Sequence, residues 1–155
     1  MGEMSRILDQ LHRAYTGPAW HGPALGEILS DVTAEMAARR PLSGAHTIWE
    51  LVAHITVWIS VPTRRLQGEE IPVLPPEQDW PAVPESSEAA WKRALEGLAE
   101  AQRNLEAEVR KLSDERLSEK VLGDRPYSLY TLLHGVVQHN LYHAGQISML
   151  KKASR

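Results

Sequence analysis

Apolar residues recur at helical spacing in four long stretches of the chain, separated by segments rich in Gly and Pro. In residues 4–15, Ile7, Leu8 and Leu11 mark a first helix, broken by Gly17-Pro18. Trp20-His21-Gly22-Pro23 then opens a shorter piece over 24–29, with Pro23 suited to a first helical turn. Residues 31–38 read as another short helix, ended at Arg40 because the residue before Pro41 avoids the α region. Thr47-Ile-Trp-Glu50 fits a capping box, in which the Thr hydroxyl and the Glu carboxylate each take an orphan N–H of the first turn. From it a helix runs over 47–66 through Leu51, Val52, His54, Ile55, Trp58 and Ile59, passes Pro62 and closes at Gly68.

Residues 68–86 carry Pro72, Pro75, Pro76, Pro81 and Pro84, which predicts an extended connection. Residues 87–112 form a long helix with Trp91, Leu95, Leu98, Leu105, Val109 and Leu112 on one face and charged residues opposite. A turn over 113–117 and a loop over 118–126 lead into the last helix, from about Tyr127 to Leu150. Four substantial helical units predict an all-α protein, a four-helix bundle forming a single domain over 1–155.

The connection lengths add direction. Nineteen extended residues reach about 60 Å at 3.3 Å each, against about 30 Å for a twenty-residue helix. The Pro-rich segment can therefore cross the bundle and set the helices on either side of it parallel. The shorter loop before Tyr127 then returns the last helix antiparallel, an up-down-down-up order.

Three histidines sit in that last helix. His139 and His143 lie about 40° apart around the axis and one turn apart along it, beside the apolar stripe of Leu132, Leu133, Val136 and Ile147. His134 is about 140° away from His139 and faces elsewhere. With the two helices antiparallel, His54 falls at a similar depth to His139 and His143. With parallel helices it would miss them by about 6–12 Å. Three neutral imidazoles from facing helices can hold a divalent transition metal and leave positions open for water or substrate. All-nitrogen ligation suits nickel, zinc, iron or copper without choosing among them.

Composition narrows the chemistry. With no cysteine there is no disulfide, thiolate ligand or Cys nucleophile, so a thiol, if used, comes from outside the chain. A net charge of −3, without a Lys/Arg-rich run, gives no sign of nucleic acid. No apolar run approaches a membrane span and the first residues lack a signal-peptide core, so a soluble, cytoplasmic protein is expected.

Glu50, one turn before His54, is a candidate general base, although its capping role accounts for it as well. His21 is a candidate catalytic residue from the first helical region. His46, just before the cap, could line the mouth of the same site or be a solvated loop residue, and Arg64 and Arg65 could meet an anion or simply be solvated. Gln146, beyond His143, can hold a ligand's second nitrogen. Gly145 is expected to permit close helix packing and Trp49 and Trp58 to belong to the core, while Tyr142 either hydrogen-bonds at the edge of the site or joins the core.

His54 within Ile48-Trp-Glu-Leu-Val-Ala-His-Ile55, together with His139-Asn-Leu-Tyr-His143-Ala-Gly-Gln146, resembles the DinB/YfiT-like superfamily of metal-dependent enzymes. The likeness spans nearly the whole chain. It implies a four-helix bundle, a metal site at His54, His139 and His143 holding nickel or zinc, and a homodimer. Relatives of that fold include bacillithiol S-transferases and mycothiol-dependent maleylpyruvate isomerases; their catalytic residues beyond the metal ligands do not carry over, and the family name implies no DNA repair. Three readings stay open: a hydrolase or thiol S-transferase acting on a small molecule, a metal- or ligand-binding module without turnover, and a plain bundle with core histidines.

Overall fold

The computed structural model describes residues 2–83, 85–122 and 127–154, so Pro84 and residues 123–126 of the predicted loop lie outside the described residues. Among the described residues the protein is all helical, with seven α-helices and no strand. They are α1 Glu3–Tyr15, α2 Leu25–Leu29, α3 Ala34–Ala38, α4 Ile48–Leu66, α5 Pro76–Asp79, α6 Glu88–Val109 and α7 Leu129–Ala153, with a 3-10 turn at Asp114–Ser118 before α7. No helix among these residues is long and apolar enough to cross a membrane.

Side-chain caps set most helix starts. Thr47 Oγ1 accepts the Glu50 N–H at 3.1 Å and the Glu50 carboxylate accepts the Thr47 N–H at 2.7 Å, the reciprocal pair expected from the sequence. Thr33, Ser87 and Ser128 cap α3, α6 and α7 in the simpler one-bond way. Helix α3 therefore starts at Ala34, later than expected. Gly68, at a φ of 89°, takes the left-handed backbone that ends α4. The Pro-rich connection departs from expectation: it contains α5, because Pro76 stands at the first helical position, where its missing N–H costs nothing.

Helix α4 packs against α6 and α7, and α1 closes the other side against the same two. Trp49 near the start of α4 lies 5.0 Å from Trp91 near the start of α6, and Gln67 beyond the end of α4 donates to Glu108 of α6 at 3.1 Å. Arg65, at the end of α4, donates to the Tyr127 hydroxyl just ahead of α7 at 2.6 Å. Leu51 of α4 and Leu150 of α7 meet at the opposite end, lining one cleft. The core between these helices is aliphatic, with Ile7, Leu11, Ile55, Leu98, Leu105, Leu133 and Ile147 fully buried, and its aromatic content is tryptophan because the chain has no Phe.

The start of α1 is capped from far along the chain. Asp114 accepts the Glu3 and Met4 N–H groups at 2.8 and 2.9 Å, tying α1 to the 3-10 turn. Those N–H groups of Met4 and Glu3 hold its carboxyl below the usual aspartate range. A depressed folded value stabilises the fold above the unfolded value and loses that contribution as pH falls through the folded one. Asp114→Ala should therefore lower the melting temperature at neutral pH, with the gap to wild type closing as pH falls below the usual aspartate range. Melting curves across that range check it, and a gap independent of pH would contradict it.

Candidate metal centre

Helix α4 contributes His54 on its buried face, and α7 contributes His139 and His143 one turn apart, the second buried and the first half-buried. Amphipathic packing of α4 on α7 brings the three rings together. The His139 Nε2 atom lies 3.1 Å from His54 Nε2 and 3.1 Å from His143 Nε2. One ligand atom from each ring falls within 4.8 Å of the others, a group that could hold a metal ion.

The outer nitrogens decide what the inner ones can do. His54 Nδ1 donates to the Asp79 carbonyl at 2.7 Å, and because that partner is a carbonyl oxygen, Nδ1 carries the proton and Nε2 a lone pair. His143 Nδ1 donates to Gln146 Oε1 at 2.6 Å, with the same consequence. A single N–H on His139 Nε2 serves one of these neighbours and leaves the other lone pair unmatched. Nor does an extra proton resolve this. Burial first, then the closeness of His143 and His54, pushes His139 down to about 4, and burial likewise lowers His143. Three ring nitrogens that converge and cannot all pair with one another suit one cation, so the residues fit the metal that the sequence suggested.

The wall around the trio comes from the Pro-rich connection. Trp80 stacks between His54, at 3.8 Å, and His46, at 3.5 Å, nearly parallel to both. The Asp79 carboxylate accepts the Trp58 indole N–H at 2.6 Å and lies 3.3 Å from His54 Nδ1. Asp79 and Trp80 were not singled out in the sequence. Their signal was a Trp directly after Pro75-Pro76-Glu-Gln-Asp79, a large apolar side chain in a polar, proline-rich segment that solvation alone does not explain.

Glu50 accepts from the Thr47 N–H, pairs with Arg40 at 2.7 Å and lies 3.3 Å from His46 Nδ1. Burial works against its charge, but the Thr47 N–H, Arg40 and His46 outweigh burial and hold it below the usual glutamate range. It is a carboxylate that orients His46, and it stands outside the trio. His21 is exposed in the loop between α1 and α2, and does not line the cleft beside the trio. His134 faces elsewhere, as expected, beside Tyr130 and 3.9 Å from Glu3. Arg64 pairs with Glu69, and Arg65 is held by the Tyr127 hydroxyl and the Ile71 carbonyl.

Beside His143 opens a cleft of about 780 Å³, between the loop ahead of α4 and the outer face of α7. Tyr142 lines it, mostly exposed and edge-on to His143, at the edge of the site and not in the core, the first of the two positions the sequence left open. Its place follows from its angle on α7, one residue off the buried stripe. Trp58 too is only partly buried, its indole turned to Asp79, whereas Trp49 is in the core. Gly145 differs as well: a Cβ built there would meet no atom within 4 Å, so the glycine does not serve close helix packing.

A family model described as the DinB superfamily matches residues 9–147, and the chain belongs to that superfamily. No curated protein and no solved structure matches it.

Proposed function

We propose that His54, His139 and His143 bind one divalent transition metal, nickel, zinc or iron, and that the protein is a metal-dependent enzyme acting on a small molecule. The observation that carries this is the meeting of three Nε2 atoms, two with lone pairs fixed by their outer hydrogen bonds. The chemistry such an ion supplies is acidification of a bound water or thiol and polarisation of a carbonyl, which fits a hydrolase or a thiol S-transferase. Since the chain has no cysteine, transfer would use a low-molecular-weight thiol as co-substrate.

The protein groups have separate tasks. Asp79 and Gln146 fix the orientation and tautomer of His54 and His143. Trp80 covers the His54 ring and limits its contact with water. Glu50 holds His46 at the cleft as a proton acceptor and acts through it as a positioning residue; His21 stands outside this scheme. We read the helices as an up-down-down-up four-helix bundle in one domain, which the pairing of Trp49 with Trp91 and of Arg65 with Tyr127 supports. The family resemblance supports a homodimer.

A second reading, a metal-binding module without turnover, draws on Glu50 itself, whose carboxylate is already engaged by the cap and Arg40. A screen of aryl esters, and of electrophiles with a low-molecular-weight thiol, separates the two. The enzyme reading expects turnover that a chelator stops and added metal restores. It also expects Glu50→Gln to keep the metal while slowing turnover by about 10²-fold or more. Bound metal with no turnover on any substrate would favour the module.

A further inference from the structure

The cleft beside His143 has a composition that the metal reading does not use. Its wall is built from Leu42, Leu51, Met149, Leu150 and the rings of Trp80 and Tyr142, and among the described residues no Lys, Arg, Asp or Glu lines it. Three side chains left unusually open for their size, Tyr142 at 65 %, Met149 at 63 % and Leu42 at 49 % exposed, gather here. Its volume of about 780 Å³ falls within the roughly 300–1,000 Å³ range of small-molecule sites.

Gly145 lies on the same wall. Glycine is the poorest helix former short of proline, yet this one lies inside the 25-residue helix α7. Close approach of a neighbour would explain it, but the space beyond its Cα is empty. What the missing side chain leaves is room in the cleft, on the helical face shared by Tyr142, Gln146 and Met149.

We propose that this cleft binds an uncharged, largely apolar small molecule, with its reacting group towards His143 and His46, and that Gly145 determines specificity by leaving space for it. An ionised group deep in such a wall would lose its hydration without a partner, so charge on the body of the ligand is selected against. The inference rests on the reading of the histidine trio as the reacting centre, but the occupancy of the cleft can be measured separately.

The test is titration of the as-isolated and the chelator-treated protein with 2-naphthol and with 2-naphthoate, read by calorimetry and tryptophan fluorescence. One-to-one saturable binding of 2-naphthol is expected in both forms, and binding about tenfold or more weaker for naphthoate in the chelator-treated form. Gly145→Phe should weaken 2-naphthol by about tenfold or more while metal content and melting temperature are kept. Met149→Trp, at an exposed position, fills the cleft from the same face and gives the same readout should the first variant fold poorly. Binding unchanged by both variants, no saturable binding, or preference for naphthoate in the chelator-treated form overturns the proposal. So does a change of oligomeric state in the variants without naphthol binding, which would make the cleft a face for a second copy. Protein that is isolated without metal and gains no stability from added nickel, zinc or iron, yet binds 2-naphthol, retires the metal reading alone; metal-loaded protein whose binding ignores Gly145 retires the cleft alone.

Discussion

His139→Leu should abolish the thermal stabilisation that metal gives the wild type, and should cost the metal-free protein clearly less. A ligand present at a thousandfold excess over its dissociation constant stabilises the folded state by about 4 kcal/mol. In a chain of 155 residues that is roughly 8–16 °C in melting temperature. Removing His139 takes away the central Nε2, the atom within 3.1 Å of both other ligand nitrogens, and with it this gain. The metal-free comparison is the sharper half. A histidine buried for packing and hydrogen bonding leaves an unpaired partner when removed, which costs about 1–3 kcal/mol. In the metal-free trio His139 serves only one of its two neighbours, so its removal orphans a single further lone pair and the expected cost stays within that range, below what the metal contributes. Melting curves with and without nickel, zinc or iron read both effects. A large loss in the metal-free variant, with the metal response intact, would identify His139 as a packing residue.

Trp91→Ala should produce the largest loss of stability among single substitutions outside the site. The side chain is 2 % exposed, lies against Trp49 at a tilt of 59°, and donates its indole N–H to the Val32 carbonyl at 2.6 Å. It thus joins the start of α6 to α4 and to the segment between α2 and α3. Truncating a buried aromatic to Ala costs about 3–5 kcal/mol through lost burial and the cavity left behind. The Val32 carbonyl is orphaned as well. The expected drop in melting temperature is roughly 6–20 °C. Chemical denaturation gives the same quantity, and a change under about 1 kcal/mol would mean that the site collapses around the smaller residue.

What could be read from the sequence was whatever depends on local spacing. Thr47 and Glu50 carry their capping box in four consecutive residues, and the i, i+4 spacing of His139 and His143 places them on one face without further information. Even the approach of His54, 85 residues earlier, followed from connection lengths and helix rise, because these bound where the elements can go.

Contacts set by the packed fold were not legible. Asp114 caps α1 across 111 positions, and nothing near Glu3 announces it. Gln102 and Glu106 occupy buried positions on α6 between Leu98 and Val109, where the period alone would place apolar side chains or solvent. They are tolerated because Gln102 donates to the Leu11 carbonyl and to Glu106, which also meets Arg110. Asp79 and Trp80 belong to the same class. The proline pattern gave the reach of their segment, but its docking onto His54 and His46 depends on where α4 and α7 leave a ring-sized gap.

Everything proposed for the site depends on the three histidines being the ligands of one metal ion. The most direct test is metal content by mass spectrometry on untagged wild-type protein, beside His54→Ala and His139→Ala/His143→Ala. Close to one nickel, zinc or iron per chain is expected in the wild type and none in either variant. Wild-type protein that carries no metal and gains no stability from any added divalent ion would contradict it.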